Sequence, residues 1–206
     1  MTDATYWDTR YAESTAVWSG NANVALVREV SDLTPGTALD LGCGEGGDAI
    51  WLARRGWRVT ATDISEVALA KAAAHAAEAG ADVDFQRHDL GTSFPAGTYD
   101  LVSAQFLYPR GAVPREVVLL AAKAAVAPGG ILLIEGHQDF GPFAEQHRAH
   151  GDVSFPEPQQ VVAGLRLAEG EWEVLRCETH DRLQNGPDGV PAHRTDSTIK
   201  LRRVRR

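Results

Sequence analysis

Residues 37–47, Thr37 to Gly47, read TALDLGCGEGG. Ala38, Leu39 and Leu41 predict a short buried strand, and glycines at 42, 44, 46 and 47 predict the loop that follows. A helix pattern, DAIWLARRG, begins at once. A second strand, WRVTATD, then ends on Asp63. Strand, glycine loop, helix, strand and acid is the front of a nucleotide-binding βαβ unit. Such glycines let backbone approach a ligand closely, and the helix start offers free N–H groups. Asp63 stands where a carboxylate can accept both hydroxyls of a ribose.

The glycines alone leave the nucleotide open, because residues 42–47 also satisfy the dinucleotide spacing G-x-G-x-x-G. Asp40, two residues before Gly42, narrows the choice, and Glu45 sits inside the loop itself. A carboxylate about 5 Å from a phosphate charge is repelled by roughly 3 kcal/mol at an effective dielectric near 20. An ammonium or a sulfonium is attracted there instead, and S-adenosylmethionine carries both. The pattern D-x-G-x-G-x-G, through Asp40, Gly42, Gly44 and Gly46, resembles the first motif of class I S-adenosylmethionine-dependent methyltransferases. The alternative is a plain glycine turn with no ligand, but four glycines in six residues weaken a helix start for no return.

A chain of 206 residues suits one domain, residues 1–206, with a proper core. No stretch approaches eighteen consecutive apolar residues, so no membrane span is expected. The opening MTDATYWDTRYAES lacks a basic-then-apolar leader pattern, and the two cysteines, Cys43 and Cys177, have no metal spacing. Both features lead us to expect a cytoplasmic protein. The net charge of −8 argues against nucleic acid as a partner, which needs a basic face. Lys200 and the arginines near the C-terminus read as the solvated end of a last strand.

Elsewhere, residues 23–33 carry apolar positions at helical spacing, ended by Pro35 and Gly36. Helices are expected at about 47–55, 66–79 (with Ser65 as N-cap), 114–127 and 157–168, and strands at about 37–41, 57–62, 82–88, 98–107 and 131–137. Pro128–Gly129–Gly130 reads as a turn. Strands at about 172–182 and 194–204, joined by a loop, predict an antiparallel hairpin at one sheet edge. The alternation predicts a Rossmann-like α/β domain: seven strands, mostly parallel, the last antiparallel, with helices on both faces.

The resemblance to class I methyltransferases covers residues 37–134, and more loosely the rest. Within that class the chain is similar to the small tellurite-resistance and thiopurine methyltransferase-like enzymes, through WDTRY at Trp7–Tyr11, LDLGCGEGGDAIWLARRGWRVTATDIS, and RHDL followed by YDLV. The resemblance implies residues 1–36 as a helical lid, 37–134 as the cofactor-binding half and 135–206 as the substrate-side half. It places Asp40 toward the methionine ammonium, and Gly42, Cys43, Gly44 and Gly46 along the methionine and ribose. Asp63 would hold the ribose, Ile64 would pack on adenine, and Asp89 would accept from the adenine amino group with Leu90 at the ring. Gln105 and Phe106 would lie under the sulfonium. Trp7 and Trp18 would cover the cofactor, whereas Tyr11 reads as a core aromatic. Ligands of open α/β sheets sit beyond the carboxyl ends of the strands, where Asp40, Asp63, Asp89 and Gln105 all fall.

Methyl transfer is an in-line displacement that needs alignment above all. A thiol, selenol or halide needs little more, while a hydroxyl or carboxylic acid benefits from a base. His137, at a carboxyl strand end, is the best candidate for that base. Asp139, His147, His150, His180, Asp181 and His193 are more distant ones. The cluster His137, Asp139, His147, His150 and Asp152 could imitate a metal site, but its spacing matches no zinc pattern, so no metal is expected. The expected function is methyl transfer from S-adenosylmethionine, leaving S-adenosylhomocysteine, to a small-molecule S-, O-, chalcogen or halide acceptor, by a monomer or homodimer. A non-catalytic S-adenosylmethionine binder is the alternative, and a nicotinamide oxidoreductase the more remote one. The acceptor pocket is expected between the lid and residues 138–158, lined by Phe140, Phe143 and Phe155.

Overall fold

The computed structural model describes residues 3–108, 114–143, 155–186 and 188–205. Helices α1 (Asp3–Ala12) and α2 (Val24–Val30) precede β1 (Thr37–Leu41), and then come α3 (Gly47–Arg54), β2 (Arg58–Asp63), α4 (Glu66–Ala79) and β3 (Val83–Arg87). After these run β4 (Tyr99–Gln105), α5 (Arg115–Ala124), β5 (Val126–His137), a 3-10 turn (Gly141–Phe143), α6 (Pro158–Gly164), β6 (Trp172–Asn185) and β7 (Pro191–Arg203). The seven strands form one sheet in the order β3-β2-β1-β4-β5-β7-β6. All pairs from β3 to β5 are parallel, and β7 runs antiparallel to both its neighbours. The expected architecture is the observed one.

One face of the sheet packs Ala38, Leu101, Ile131 and Leu133 against Leu26 and Val30 of α2 and Ala49 and Leu52 of α3. The other packs Leu39, Leu41, Val102, Leu132 and Ile134 against α5 and the end of α6 through Leu119, Ala122 and Leu165. Alternate residues of β1, β4 and β5 thus serve opposite layers, as period-two strands covered on both sides must. α2 is therefore a core helix, not part of a lid: Leu26 is fully buried. The lid expectation narrows to the residues before it.

Two boundaries differ for stated reasons. β5 begins at Val126, not Ile131, because Tyr99 pairs with Val126 before a register shift, so Pro128–Gly130 is a bulge inside the strand and not a turn before it. α6 stops at Gly164, since Arg166 takes φ 49°. The β6–β7 hairpin is longer than expected. Its strand pairing with β5 ends at His137–Asp196, and beyond that point Asp181–Asn185 pair with Pro191–Thr195, with Gln138 N–H donating to the Thr195 carbonyl. His180, Asp181 and His193 accordingly lie within strands and not at their ends. The basic end is anchored: Lys200 bonds Glu29, Arg202 pairs with Glu173 and Arg203 donates to the Val126 carbonyl.

The chain leaves β1 toward β2 and returns to its other side at β4. That reversal falls at the carboxyl ends of β1 and β4, the place where such sheets bind ligands.

Candidate active site

The loop after β1 folds against the end of β2. Gly42 and Cys43 N–H groups both donate to the Thr62 carbonyl at 2.8 Å. Asp63 closes the arrangement, with Oδ2 accepting from Gly44 N–H and Oδ1 from Ser65 N–H, each at 2.9 Å. Ser65 caps α4 as expected, its hydroxyl accepting from Ala68 N–H. Burial raises the Asp63 carboxyl against the lowering effect of these backbone donors.

Asp40 is 2% exposed, and its Oδ2 is buried without a hydrogen-bond partner. Burial, then the neighbouring Asp48 and Asp63 carboxylates, push its pKa well above the ordinary value. Asp48 is held by the backbone and side chain of Asn23. Three carboxyl groups thus share a low-dielectric region, and no described cationic side chain is bonded to any of them. An unpartnered buried carboxylate oxygen beside two more acids fits a cationic ligand group and disfavours a phosphate. Burial likewise drives the Cys43 thiol well up, which leaves it a small apolar lining residue.

Glu45 behaves differently from its sequence reading. Its carboxylate accepts from the backbone N–H groups of Val17 and Trp18 and pairs with Lys71 at 3.2 Å. It therefore ties the N-terminal segment to the loop and presents no free charge to a ligand, so the electrostatic argument rests on Asp40. Lys71 also donates to the Ser14 carbonyl, and Asp8 accepts from Ser65 Oγ. The segment before α2 is fastened across the glycine loop and along α4.

At the centre of that cover stand two aromatics. A Cβ at Gly44, where φ is 54°, would lie 2.9 Å from the Tyr11 hydroxyl and 3.3 Å from Trp18 Nε1. Trp18 Nε1 donates to Tyr11 Oη at 2.9 Å, and Trp7 stands 6.0 Å from the Tyr11 ring, centroid to centroid. Trp18 thus reaches the loop while half its surface remains exposed. Tyr11 is buried, as expected of a core aromatic, yet its hydroxyl faces Gly44 as well. The sequence carried no signal for that second contact beyond helical spacing from Trp7.

Gly46 has a packing place rather than one at the loop's mouth. A Cβ there would meet Ala72 Cβ at 3.0 Å, so glycine permits α3 and α4 to approach. Asp89 is exposed, and its Oδ1 caps a turn by accepting from Gly91 N–H. The preceding His88 N–H donates to the Asp63 carbonyl, which sets Asp89 beside the carboxyl end of β2. Ile64 is half-buried, and Leu90 packs on the core layer that contains α5.

β4 delivers the other wall. Gln105 is buried, donating to Ser103 Oγ at 3.1 Å while its Oε1 has no partner. Phe106 turns the chain with φ 51°, and a Cβ at Gly42 would lie 2.8 Å from Leu107 Cδ1. The Phe106 ring stacks on His137 at 4.4 Å. Tyr108 flanks the imidazole at 5.7 Å, and Phe155 meets it edge-on at 6.3 Å and Phe140 at 5.0 Å. His137 Nδ1 lies 2.8 Å from Asp196 Oδ1. The glycine loop, Leu107, Phe106 and His137 are therefore continuous. Tyr108, Arg182 and Asp196 are members of this wall that the sequence reading missed. Of the candidates between 137 and 152, His147, His150 and Asp152 lie outside the described residues. Asp139 accepts from Thr195 N–H.

A methyltransferase domain family model matches residues 38–130. A ubiquinone biosynthesis O-methyltransferase of Hahella chejuensis is 34% identical over 161 residues, 70% of this chain and 67% of that protein. The chain spans about half or less of the length of the first curated relatives it matches. Among solved structures, one describing the conversion of a disulfide bond into a thioacetal group during echinomycin biosynthesis superposes with a TM-score of 0.74. It is 24% identical, over 98% of this chain and 91% of that one. TehB from Haemophilus influenzae superposes at 0.64, with 19% identity over 98% and 67% of the two chains. Two further structures of the fold hold S-adenosylhomocysteine. The unpartnered acid beside the glycine loop, the domain match and the Hahella relative agree: the chain belongs to the class I S-adenosylmethionine-dependent methyltransferase family.

Proposed function

We propose that this chain transfers a methyl group to a small-molecule acceptor and releases S-adenosylhomocysteine. The observation that carries the reading is the buried, unpartnered Oδ2 of Asp40 next to Asp48 and Asp63. When bound, S-adenosylmethionine supplies an electrophilic methyl group on sulfur. In this reading Asp40 faces the ammonium, and backbone at Gly42, Cys43 and Gly44 lines the methionine and ribose. Asp63 adds ribose hydroxyls to the two backbone donors it already holds, since a carboxylate has capacity for about four. Ile64, Asp89 and Leu90 receive the adenine, and Gln105 and Phe106 lie by the sulfur. Trp7 and Trp18, with Tyr11, exclude water from above.

The acceptor enters between the segment before α2 and the described ends of the region 138–158, where Phe140 and Phe155 supply apolar surface; residues 144–154 lie outside the described residues. The chain's acidity disfavours nucleic acid and other polyanions. We further place the chain, as a monomer or homodimer, nearest the small tellurite-resistance and thiopurine methyltransferase-like group. The N-terminal WDTRY motif supports that placement, and the likeness to TehB supports the fold it requires.

Calorimetry with S-adenosylmethionine, S-adenosylhomocysteine and NAD tests the cofactor assignment. Binding of the first two and none of the third is expected, and NAD binding of equal or greater strength overturns it. A methyl-transfer screen over thiols, halides, tellurite, phenols and carboxylic acids then reads the acceptor class.

A further inference from the structure

The pairing of β5 with β7 sets His137 directly opposite Asp196, 59 positions later. Asp196 has no exposed surface. One of its oxygens takes His137 Nδ1 and the other accepts from Arg182 Nε, with Arg194 at 4.0 Å. Burial alone would raise this carboxyl. The hydrogen bonds from His137 and Arg182 outweigh it and hold the group below its usual range, so it is ionised at neutral pH.

The imidazole is held just as firmly. Phe106 and Tyr108 stack along its plane, and its backbone N–H donates to the Tyr108 hydroxyl. Burial lowers its pKa, against the pull of Asp196, and the Arg194 and Arg182 charges lower it further. The ring is therefore neutral at pH 7. A neutral ring whose Nδ1 faces an ionised carboxylate carries its proton on Nδ1, which leaves Nε2 as the bare acceptor. Nε2 has no hydrogen-bond partner among the described residues. The side chain keeps 19% of its surface exposed, and Phe106, stacked on the ring, precedes Leu107, whose side chain lies against Gly42.

A halide is already an anion, and a thiol supplies enough of the highly nucleophilic thiolate at neutral pH to react, so either would draw little from such a base. A hydroxyl draws a great deal. We propose that the methyl-accepting atom is a hydroxyl oxygen, that His137 Nε2 removes its proton, and that Asp196, braced by Arg182, is the positioning residue that makes His137 a base. The proposal rests on the methyltransferase reading above and deepens it. The acceptor oxygen gives its proton to Nε2 and an electron pair to the methyl carbon. The pair of the methyl–sulfur bond stays on sulfur. A methyl ether, S-adenosylhomocysteine and an imidazolium result, and the imidazolium loses its proton to solvent.

The test joins kinetics to a readout that needs no turnover. With catechol as the hydroxyl acceptor and thiophenol as the thiol, Asp196→Asn should lower kcat for catechol on the order of a hundredfold with KM little changed. Thiophenol turnover should fall less than about threefold, the loss of a base being the only difference. Asp196→Glu, which keeps the charge, should recover most of the catechol rate. Nitrogen-15 NMR of the ligand-free protein, assigned against His137→Gln, should find Nδ1–H with bare Nε2 in the wild type. Asp196→Asn should lose that preference. Equal losses on both acceptors, matched by a lower melting temperature, would show a merely structural pair and overturn the proposal. An Nε2–H tautomer in the wild type overturns it even if neither acceptor reacts, and the expected tautomer, lost in Asp196→Asn, supports it in the same case. Failure to bind S-adenosylmethionine in calorimetry brings down the reading beneath it, whereas bound cofactor with the wrong tautomer brings down this proposal alone.

Discussion

The two flanks of the sheet treat buried carboxylates in opposite ways. Around β1 and β2, Asp40, Asp48 and Asp63 are buried with no described cation bonded to them, and burial raises all three, while Glu45 in the loop after β1 is the exception, paired with Lys71. Around β5, β7, β6 and the end of α2 that packs beside them, every described buried acid has a cationic or imidazole partner: Asp196 has Arg182 and His137, Glu135 has His180, and Glu29 has Arg28, Arg176 and Lys200. An uncompensated buried charge is costly, and a fold keeps one where something else supplies the opposite sign. One flank is complete in itself. In the proposed reading, a cationic ligand completes the other.

Asp63→Ala strikes the unpaired flank hardest. It removes charge-assisted hydrogen bonds of roughly 1.5–3 kcal/mol each, before water compensates. Cofactor affinity should fall several-fold to about a hundredfold. Calorimetry on a mutant with wild-type melting reads this, and an unchanged dissociation constant would remove Asp63 from the site. Deleting Met1–Asn21 comes next. The segment holds Tyr11 and Trp18 over Gly44 but contributes nothing from α2, so affinity should drop by roughly tenfold, about 1.4 kcal/mol. Melting should fall by less than that loss implies. Full activity in the truncated chain would make the aromatics packing alone.

The third prediction turns on pH. Asp40, Asp48 and Asp63 have folded-state pKa values above their unfolded ones, so the folded protein binds more protons between the two. Their contribution to stability is therefore present at low pH and lost as pH rises through the folded values. Asp196 and Glu29, held low, act oppositely: their contribution is present above the unfolded pKa and lost as pH falls. Asp40→Asn should raise the melting temperature of the ligand-free protein at pH 7.5 by roughly 2–4 °C per kcal/mol recovered. The gain should shrink toward pH 4, while S-adenosylmethionine binds the variant more weakly. A variant melting like wild type across that range would show that Asp40 is compensated after all. The effect narrowest in pH belongs to Glu135, which burial pushes up to about 7 despite Thr198 and His180. Its contribution falls away between about 4.5 and 7, so Glu135→Gln should flatten the stability profile in that window only. Denaturation at several pH values checks it.

How much of this was legible depends on where the information sits in the chain. Asp40, the glycines and Asp63 lie within one short βαβ unit, so local spacing placed them. α2 was visible as a helix from its apolar spacing, but its assignment to a lid failed, because spacing does not say which layer a helix joins. Glu45 was misread for a related reason. Its partners, Val17, Trp18 and Lys71, lie 26 to 28 residues away, on segments whose approach the motif does not encode. Asp196 was invisible as a site residue. In RTDSTIK it is one acid within a strand, and only the register against β5 sets it opposite His137. Pro128–Gly130 misled in the usual way of turn residues, since a bulge and a turn draw on the same chemistry.

The overhanging hairpin has a consequence for divergence. Residues 181–185 and 191–195 extend past the end of β5 by about 17 Å at 3.3–3.4 Å per residue, and in the sheet they pair only with each other. The wall beside His137 and Arg182 is thus built on a part of the chain that the hydrophobic layers do not constrain. Relatives can lengthen, shorten or tilt it by changes near the Gly186–Val190 link without repacking either layer. Acceptor range is then free to drift quickly while the glycine loop stays fixed.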